Sequence, residues 1–553
     1  MTLAAGAPLD AGGAADFVQP PPLLGNQYRD DRVLGEHLAR VLPAAMHNAI
    51  EDDLAALGAH ASEAWTAARA SVPRSPELTQ WDAYGARIDR IDTTPTWRQG
   101  ARFAARYGLV ASGHAPEHGS HARTDQFARV YLHHVASEFY TCPLAMSDGA
   151  ASALAASGNA DLAARALPHL LSRDAATAWL SGQWMTETSG GSDVGGTQTL
   201  ARRDAHGQWR LYGRKWFTSA IIGEMALTLA RPEGAAAHAG ALALFYLETR
   251  DADGRWNGIR IDRLKDKLGT RELPTAEIHL DATAAQPVGE LAHGVRLIAP
   301  MLNVTRTWNA VCALATMRRC LALANAYAMA RHAFGRPLAE QPLHRATLDD
   351  IGAEFEAAFH FVFHVVALLG RVERGDAHER DKALLRVLTP LAKLWTGKLA
   401  VRIASEACET FGGAGYIENT GMPLLLRDAQ VFPIWEGTTN VLSLDVLRAL
   451  SASGVDGLVD EAGALLAEAG GDRHGVRATL DAARRWHAAA STDRDALEAG
   501  ARGLALTLAR AFAAATLARH SAWSTRTRGD TSAAQALARF ASHGLTRLAP
   551  PAA

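Results

Sequence analysis

The stretch Val431-Phe432-Pro433-Ile434-Trp435-Glu436-Gly437-Thr438-Thr439-Asn440 is the part of the chain around which its other motifs can be ordered. It places one carboxylate, Glu436, between an indole and a glycine, directly after an apolar run. Burial beside Trp435 would disfavour the charged carboxylate, as a general base that works near neutral pH requires. Gly437 would let the backbone approach a ligand closely. The alternative interpretation is a glutamate that caps a helix beginning near Thr439.

Composition limits the class of protein. The 553 residues suffice for roughly three or four domains, and a hydrophobic fraction of 48% can fill a large core. Because 56 Lys and Arg residues nearly balance 58 Asp and Glu residues, the net charge does not indicate nucleic-acid binding. The four cysteines form no Cys-x-x-Cys pair, which is typical of a reducing compartment. Without a long apolar run or a secretory signal pattern, we expect a cytoplasmic protein with no membrane span.

Periodicity divides the first half of the chain into three regions. Residues 1–30 contain Pro20-Pro21-Pro22 and predict an extended N-terminal arm. Apolar residues at helical spacing predict an all-helical N-terminal domain over residues 31–184. Short β-rich runs separated by turn signals then predict a small antiparallel barrel or sandwich over residues 185–290.

The second half of the chain returns to helical spacing. Three segments of about thirty residues predict a helix bundle over residues 291–450, and they run over residues 304–332, 343–374 and 381–411. An Ala-rich helical domain is predicted over residues 451–553, and after residue 498 it carries seven arginines against one acid, Asp530. This tail is either a solvated helical face or a surface for phosphates. The arginines are Arg502, Arg510, Arg519, Arg526, Arg528, Arg539 and Arg547.

Two further stretches suit a flat, polar cofactor. Met185-Thr186-Glu187-Thr188-Ser189-Gly190-Gly191-Ser192-Asp193-Val194 offers backbone N–H groups and hydroxyls, although a flexible loop explains the composition equally. It matches neither a P-loop nor the dinucleotide fingerprint. In Lys215-Trp216-Phe217-Thr218-Ser219, an indole beside a hydroxyl can cover a ring system, or can simply end an aromatic strand.

These stretches belong to a set of five motifs that carry a resemblance. The other motifs are Arg-x-x-Phe-Gly from Arg331, Phe-Gly-Gly-x-Gly-Tyr from Phe411, and Arg-Asp-x-x-x-x-x-Ile-Trp-Glu-Gly-Thr from Arg427. Their order and spacing over about residues 100–450 resemble the acyl-CoA dehydrogenase flavoenzymes. The long chain, the proline-rich arm, Trp435 before the glutamate and the extra helical region resemble the AidB-like branch, which is linked to the adaptive response to DNA alkylation.

The resemblance implies a fold, a cofactor and a set of site residues. The fold is α+β, mainly α, with an N-terminal helical domain, a small antiparallel β-barrel, a C-terminal four-helix bundle and an extra C-terminal helical domain. It implies FAD, an acyl-CoA substrate and self-association, usually as a homotetramer. The catalytic base would be Glu436, and the substrate-binding residues would be Arg306, Trp435 and Ser192. The FAD-binding residues would be Met185, Thr186, Gly191, Ser192, Trp216, Thr218, Arg331, Phe334, Gly412, Gly413, Thr438 and Asn440.

The implied reaction is α,β-dehydrogenation of an acyl-CoA thioester, in which Glu436 removes the α-proton and hydride leaves for flavin N5. One alternative is an AidB-like flavoprotein that binds duplex DNA through its arginine-rich C-terminal region, with weak or no acyl-CoA turnover. Another is a protein that sequesters acyl-CoA. His114, His118 and His121 lie in a loop containing Gly and Pro, which favours polar loop histidines over a metal site.

Overall fold

The protein is described here by a computed structural model covering residues 19–69 and 75–548. Residues 1–18 of the predicted arm lie outside these described residues, and residues 19–31 form neither helix nor strand. Asp31 caps helix α1 (Arg32–Val41) by accepting a hydrogen bond from the backbone N–H of Leu34. The other helices before the barrel are α2 (Ala44–Arg69), α3 (Pro95–Arg106), α4 (Ala122–His134), α5 (Thr141–Ala156) and α6 (Ala160–Leu170).

The prediction that the N-terminal region is all-helical was wrong, because a hairpin interrupts it. Strands β1 (Glu77–Trp81) and β2 (Arg87–Asp92) pair antiparallel across a turn in which Gly85 has a φ of 85°. Leu78 and Ile91 pack against the core of the following barrel. Strands of five and six residues give only a weak alternating signal, so the sequence did not reveal them.

The predicted barrel is confirmed, and its pairing is more varied than expected. Its strands follow the order β3-β6-β4-β5-β9-β7, and an additional β6–β7 pairing closes the ring, while β8 pairs with β9. The pairs β3–β6 and β4–β6 are parallel rather than antiparallel, because β3, β4 and β6 enter the sheet in one direction. The strands are β3 (Ser181–Trp184), β4 (Leu200–Arg203), β5 (Trp209–Ser219), β6 (Met225–Pro232), β7 (Ala243–Glu248), β8 (Ile259–Leu264) and β9 (Thr275–Pro287).

Long buried helices form the bundle after the barrel. The three longest contain 32, 33 and 32 residues, and many of their side chains are fully buried. A proline in the first turn of α9 and Gly375 with a φ of 76° at its end fix its limits. The elements are α7 (Gly294–Leu297), α8 (Ala299–Ala330), β10 (His332–Ala333), β11 (Arg336–Pro337), α9 (Pro342–Arg374), α10 (Glu379–Thr410), α11 (Met422–Ala429) and α12 (Thr439–Ser453).

The predicted extra helical region follows and packs on the bundle. Its 35-residue helix α15 contacts α9, α12 and the helices on either side of it in sequence. Helices α9 and α15 are long and apolar enough to cross a membrane, but 83% of the most apolar window of each is buried within the protein. The helices of this region are α13 (Asp456–Glu468), α14 (Val476–Ala490), α15 (Arg494–Arg528) and α16 (Ser532–Ser542).

Candidate active site

Two bundle helices hold the segment that carries Glu436. Asn309 of α8 donates a side-chain hydrogen bond to the carbonyl of Phe432 at 3.3 Å. Gly397 of α10 comes so close that an added Cβ would lie 3.0 Å from the Phe432 carbonyl carbon. Glu436 itself adopts a left-handed backbone with a φ of 56°. For a non-glycine residue this conformation is uncommon and persists only where the surroundings hold it.

The carboxylate of Glu436 is oriented by a hydroxyl. Thr305 of α8 donates from Oγ1 to Glu436 Oε2 at 2.8 Å, and Thr305 is buried whereas Glu436 is half-buried. The alternative interpretation, in which the glutamate caps the next helix, was wrong. Thr438 is the N-cap of α12, because its side chain accepts a hydrogen bond from the backbone N–H of Val441.

Aromatic side chains line the segment on one side. The ring of Phe139 lies 5.9 Å from that of Phe432 and 6.1 Å from that of Trp435, centroid to centroid. The indole N–H of Trp435 is buried and has no hydrogen-bond partner among the described residues. An apolar wall with one unsatisfied donor can exclude water from a bound acyl group and still bind one polar atom.

Arg306, the predicted substrate residue beside Thr305, is engaged in an ion pair. Its guanidinium donates to Asp445 of α12 at 2.8 Å, and Asp445 also accepts from Arg386 of α10 at 2.6 Å. Burial alone would raise the pKa of Asp445, but the hydrogen bond from Arg386 and the charge of Arg306 lower it to about 2. Arg306 therefore ties α8 to α12, and its contact with a thioester stays a prediction.

The two stretches predicted to meet the flavin ring are adjacent in the structure. The backbone N–H of Trp216 donates to the carbonyl of Thr186 at 2.9 Å. Lys265 places its ammonium 3.3 Å from the centroid of the Trp216 ring. Thr218 is buried, and its hydroxyl donates to the carbonyl of Ala276 in the neighbouring strand at 2.6 Å. Met185 is half-buried, while Gly191 and Ser192 are exposed at the tip of the same loop.

Two of the remaining FAD motifs, those of Arg331 and Gly412, meet at one end of the bundle, whereas Thr438 and Asn440 follow Glu436 and lie near the start of α8. Tyr327 near the end of α8 stacks on Phe411 after α10, with ring centroids 4.1 Å apart, so the Arg331 and Gly412 motifs are neighbours. Apart from chain neighbours and the backbone of the same helical turn, no atom of the described residues lies within 4 Å of a Cβ added at Gly412 or Gly413. Phe334 is 98% exposed, and the Arg331 guanidinium donates a hydrogen bond to the Gln19 side-chain carbonyl at 3.1 Å. Thr438 and Asn440 are exposed at the start of α12. An open glycine turn beside exposed polar and aromatic side chains fits a dinucleotide such as FAD.

Lys393 of α10 lies beside the Glu436 segment and was not among the residues predicted from the sequence. Its side chain is fully buried, and its ammonium donates to the carbonyl of Gly437 at 2.5 Å. Burial lowers the pKa of Lys393 to about 7, Glu436 acts to raise it, and Arg306 acts to lower it further. A lysine surrounded in sequence by Leu391, Ala392, Leu394 and Trp395 was the signal that could have identified it.

The arginine-rich tail forms a smaller basic surface than its composition suggests. Arg510 is buried and pairs with Glu354 at 2.8 Å, and Arg539 pairs with Asp350 at 2.7 Å. Burial lowers the pKa of Arg519. The arginines of the tail that are exposed are Arg502, Arg526, Arg528 and Arg547.

The loop histidines contact carboxylates. His114 lies 2.7 Å from Asp148, and His118 lies 3.3 Å from Asp125. Within residues 19–69 and 75–548, no three His, Cys, Asp or Glu side chains are placed to hold a metal ion together.

Most of the chain is similar to known protein families and to individual relatives. Residues 19–175 match the adaptive response protein AidB N-terminal domain, residues 182–283 the acyl-CoA dehydrogenase middle domain, and residues 292–451 the acyl-CoA dehydrogenase C-terminal domain. Acyl-CoA dehydrogenase family member 11 of Caenorhabditis elegans is 42% identical over 445 residues, covering 79% of this chain and 72% of that protein. Putative acyl-CoA dehydrogenase AidB of Escherichia coli is 34% identical over 458 residues, covering 81% and 82%.

Solved structures agree with this assignment. The crystal structure of Caenorhabditis elegans ACDH-11 in complex with C11-CoA is 36% identical, with a TM-score of 0.92 over 97% of this chain and 94% of that one. The apo form of Bd2924 is 44% identical, with a TM-score of 0.87 over 92% and 100%. The chain therefore belongs to the acyl-CoA dehydrogenase family of FAD-dependent oxidoreductases, in the branch that has the AidB N-terminal domain.

Proposed function

We propose that this protein dehydrogenates an acyl-CoA thioester at its α and β carbons, with Glu436 as the catalytic base. The observation that carries this proposal is the hydrogen bond from Thr305 to the Glu436 carboxylate in a segment held between α8 and α10. A hydrogen bond donated to one carboxylate oxygen fixes the orientation of the carboxylate, as proton transfer to a positioned base requires. The half-buried position of Glu436 keeps it accessible to a ligand.

The side chains at and around Glu436 have distinct roles in the proposed reaction. Glu436 takes the α-proton, and Thr305 orients the carboxylate during that transfer. Phe139, Phe432 and Trp435 exclude water from the reacting carbons. When bound, FAD supplies the acceptor for the hydride that leaves the β-carbon, which yields an enoyl thioester.

The chain length of the acyl group is proposed from the nematode relative. That protein was solved with C11-CoA, and the two chains share most of their fold. We therefore expect this protein to accept acyl chains of similar length. The aromatic wall at Trp435 would limit bulky branching near the α-carbon.

The proposal is tested by anaerobic titration of the FAD-loaded protein with acyl-CoA thioesters of increasing chain length, including C11-CoA. Bleaching of the flavin spectrum is expected with at least one of them. Glu436→Gln should keep FAD bound and abolish bleaching, because an amide cannot accept the proton. Glu379→Gln, which changes an exposed carboxylate at the start of α10, serves as the control. Full bleaching by Glu436→Gln would refute the assignment of the base.

We also propose that the protein forms a homotetramer. Large apolar side chains are exposed near the Gly412 turn, with Phe334 98% and Tyr416 93% exposed. A neighbouring subunit would cover such a patch. Light scattering should give four times the chain mass, and Phe334→Ser should shift it toward smaller species. A monomer that retains FAD would contradict this proposal.

DNA binding is the second candidate function, and the AidB N-terminal domain together with four exposed arginines of the tail favours it. Salt-dependent binding to duplex DNA is then expected, weakened when Arg526 and Arg528 are both changed to Gln. No binding to duplex DNA at low salt would exclude this function.

Stoichiometric uptake of acyl-CoA without flavin reduction would instead indicate that the protein sequesters acyl-CoA. A cytoplasmic location remains a prediction.

A further inference from the structure

Lys393 is a buried charge beside the proposed base, and the dehydrogenation reaction as described above does not use it. It lies on α10 among buried apolar residues and is 0% exposed. Within the part of the chain that the structure describes, its ammonium forms no ion pair within 4 Å, and its hydrogen bond goes to the carbonyl of Gly437 at 2.5 Å. Burying an ammonium is unfavourable unless its surroundings compensate, so the position of Lys393 requires an explanation.

The carbonyl that Lys393 contacts belongs to the turn that sets the direction of the catalytic side chain. Glu436 and Gly437 have successive φ values of 56° and 102°. Only the glycine adopts such a conformation without strain. The hydrogen bond that Lys393 of α10 donates to the Gly437 carbonyl therefore opposes relaxation of the Glu436 backbone. Thr305 fixes the carboxylate end of the same residue from the other helix.

Two charged side chains among the described residues influence the protonation of Lys393. Glu436 favours the ammonium form, and Arg306 of α8 opposes it. Arg306 is itself paired with Asp445 of α12, which also binds Arg386 of α10. Asp445 faces three arginines, Arg306, Arg386 and Arg448, so this cluster stays net positive and gives Lys393 no compensating charge.

We propose that Lys393 is a positioning residue for the base: its ammonium holds the carbonyl of Gly437 and thereby fixes the direction of the Glu436 side chain. This inference rests on the proposed function of Glu436. It adds that Lys393 must keep its proton to do so, because a charged donor forms the stronger hydrogen bond. Burial brings the pKa of Lys393 to about 7, and loss of its proton above neutral pH should therefore reduce the activity of the base.

The test compares Lys393→Met, which removes the charge and the hydrogen bond, with Lys393→Gln, which removes the charge and keeps a donor. Lys398→Met removes an equal charge from the exposed face of the same helix and is the matched control. The first readout is the pH dependence of flavin reduction by acyl-CoA. Both Lys393 variants should lose the alkaline limb, because that limb reports the loss of the Lys393 proton. Lys393→Met should also lower kcat further, with KM nearly unchanged.

The second readout needs no substrate. Crystal structures of the FAD-bound wild type and of Lys393→Met compare the φ of Glu436, 56° here, and the 2.8 Å distance from Thr305 Oγ1 to Glu436 Oε2. In Lys393→Met the Glu436 backbone should leave the left-handed region and that hydrogen bond should lengthen. An unchanged Glu436 backbone and carboxylate in the folded variant would overturn the inference. Absence of flavin reduction with every acyl-CoA would instead refute the proposed function, while the crystal structures would still decide the role of Lys393.

Discussion

A buried ion pair anchors the loop that is predicted to meet the flavin, and its removal gives the sharpest test of the structure. Lys215 of β5 donates to the Glu187 carboxylate at 2.9 Å and to the carbonyl of Leu229 at 3.1 Å. Both charged side chains are almost completely buried. Burial alone would raise the pKa of Glu187, but the charge of Lys215 and a hydrogen bond from Thr199 lower it. Lys215→Met would leave that carboxylate buried without its cation.

Removal of one partner from a buried ion pair destabilises a protein by about 3–5 kcal/mol. Glu187 would retain the backbone N–H groups of Gln198 and Thr199 and the Thr199 hydroxyl, so we expect the lower end of that range. The double variant Lys215→Met, Glu187→Gln should recover part of the loss, because the uncompensated charge is then gone. FAD affinity should fall in the single variant, since Glu187 holds the loop from Met185 to Val194 against the barrel.

Urea unfolding followed by tryptophan fluorescence measures the stability of both variants, and flavin fluorescence measures FAD release. Arg202→Met, which breaks the exposed pair with Glu233 in the same barrel, is the control and should change stability by about 0–1 kcal/mol. A single variant within about 1 kcal/mol of the wild type, or a double variant no more stable than the single one, would refute the argument.

Three further changes test other parts of the structure. Thr305→Val removes the hydrogen bond to Glu436 and should lower kcat roughly 10–100-fold, because bonds to charged groups contribute about 1.5–3 kcal/mol; steady-state kinetics with unchanged kcat would contradict this. Gly415→Ala would place a Cβ 1.9 Å from the Cys408 carbonyl oxygen and should displace the glycine turn, which is measured as weaker FAD retention. Burial lowers the pKa of His133 to about 3, so only the unfolded state gains its proton as the pH falls below about 6.5. His133 should therefore contribute a loss of stability of up to about 1.4 kcal/mol per pH unit, and His133→Leu should reduce the slope by that amount in urea titrations at several pH values.

The long helices could be predicted from the sequence because their signals are local. The pattern predicted a helix over residues 343–374, and α9 runs from Pro342 to Arg374. The proline at its start and the glycine after its end are both explicit in the sequence. The β1–β2 hairpin gave no comparable signal, because its strands are short and gain their burial from the barrel that packs against them. Parallel pairing of β6 with β3 and β4 depends on tertiary contacts in the same way.

The candidate site was only partly predictable. The motif around Glu436 identified the carboxylate, but its hydrogen-bond donor, Thr305, lies 131 positions earlier. Whether the residue next to Thr305 contacts the substrate depends on the direction in which α8 packs in the bundle, which the sequence does not show. Arg306, one residue further along the helix, points to Asp445 instead. Lys393 was missed because a single lysine in an apolar helix looks like a solvated charge until its burial is known.

The C-terminal arginines show why charge counted along a sequence does not give the charge of a surface. Helix α15 is buried on most of its circumference, so its arginines are divided between the interior and the solvent. Arg510 forms two hydrogen bonds with Glu354 of α9 and a third with the carbonyl of Gly544, which joins the tail to the bundle. Burial alone would raise the pKa of Glu354, but Arg510 lowers it. Removal of the tail would therefore leave a buried carboxylate unpaired in α9. The region added after residue 451 thus completes the core of the bundle, and only four of the seven arginines after residue 498 remain exposed for any DNA-binding role.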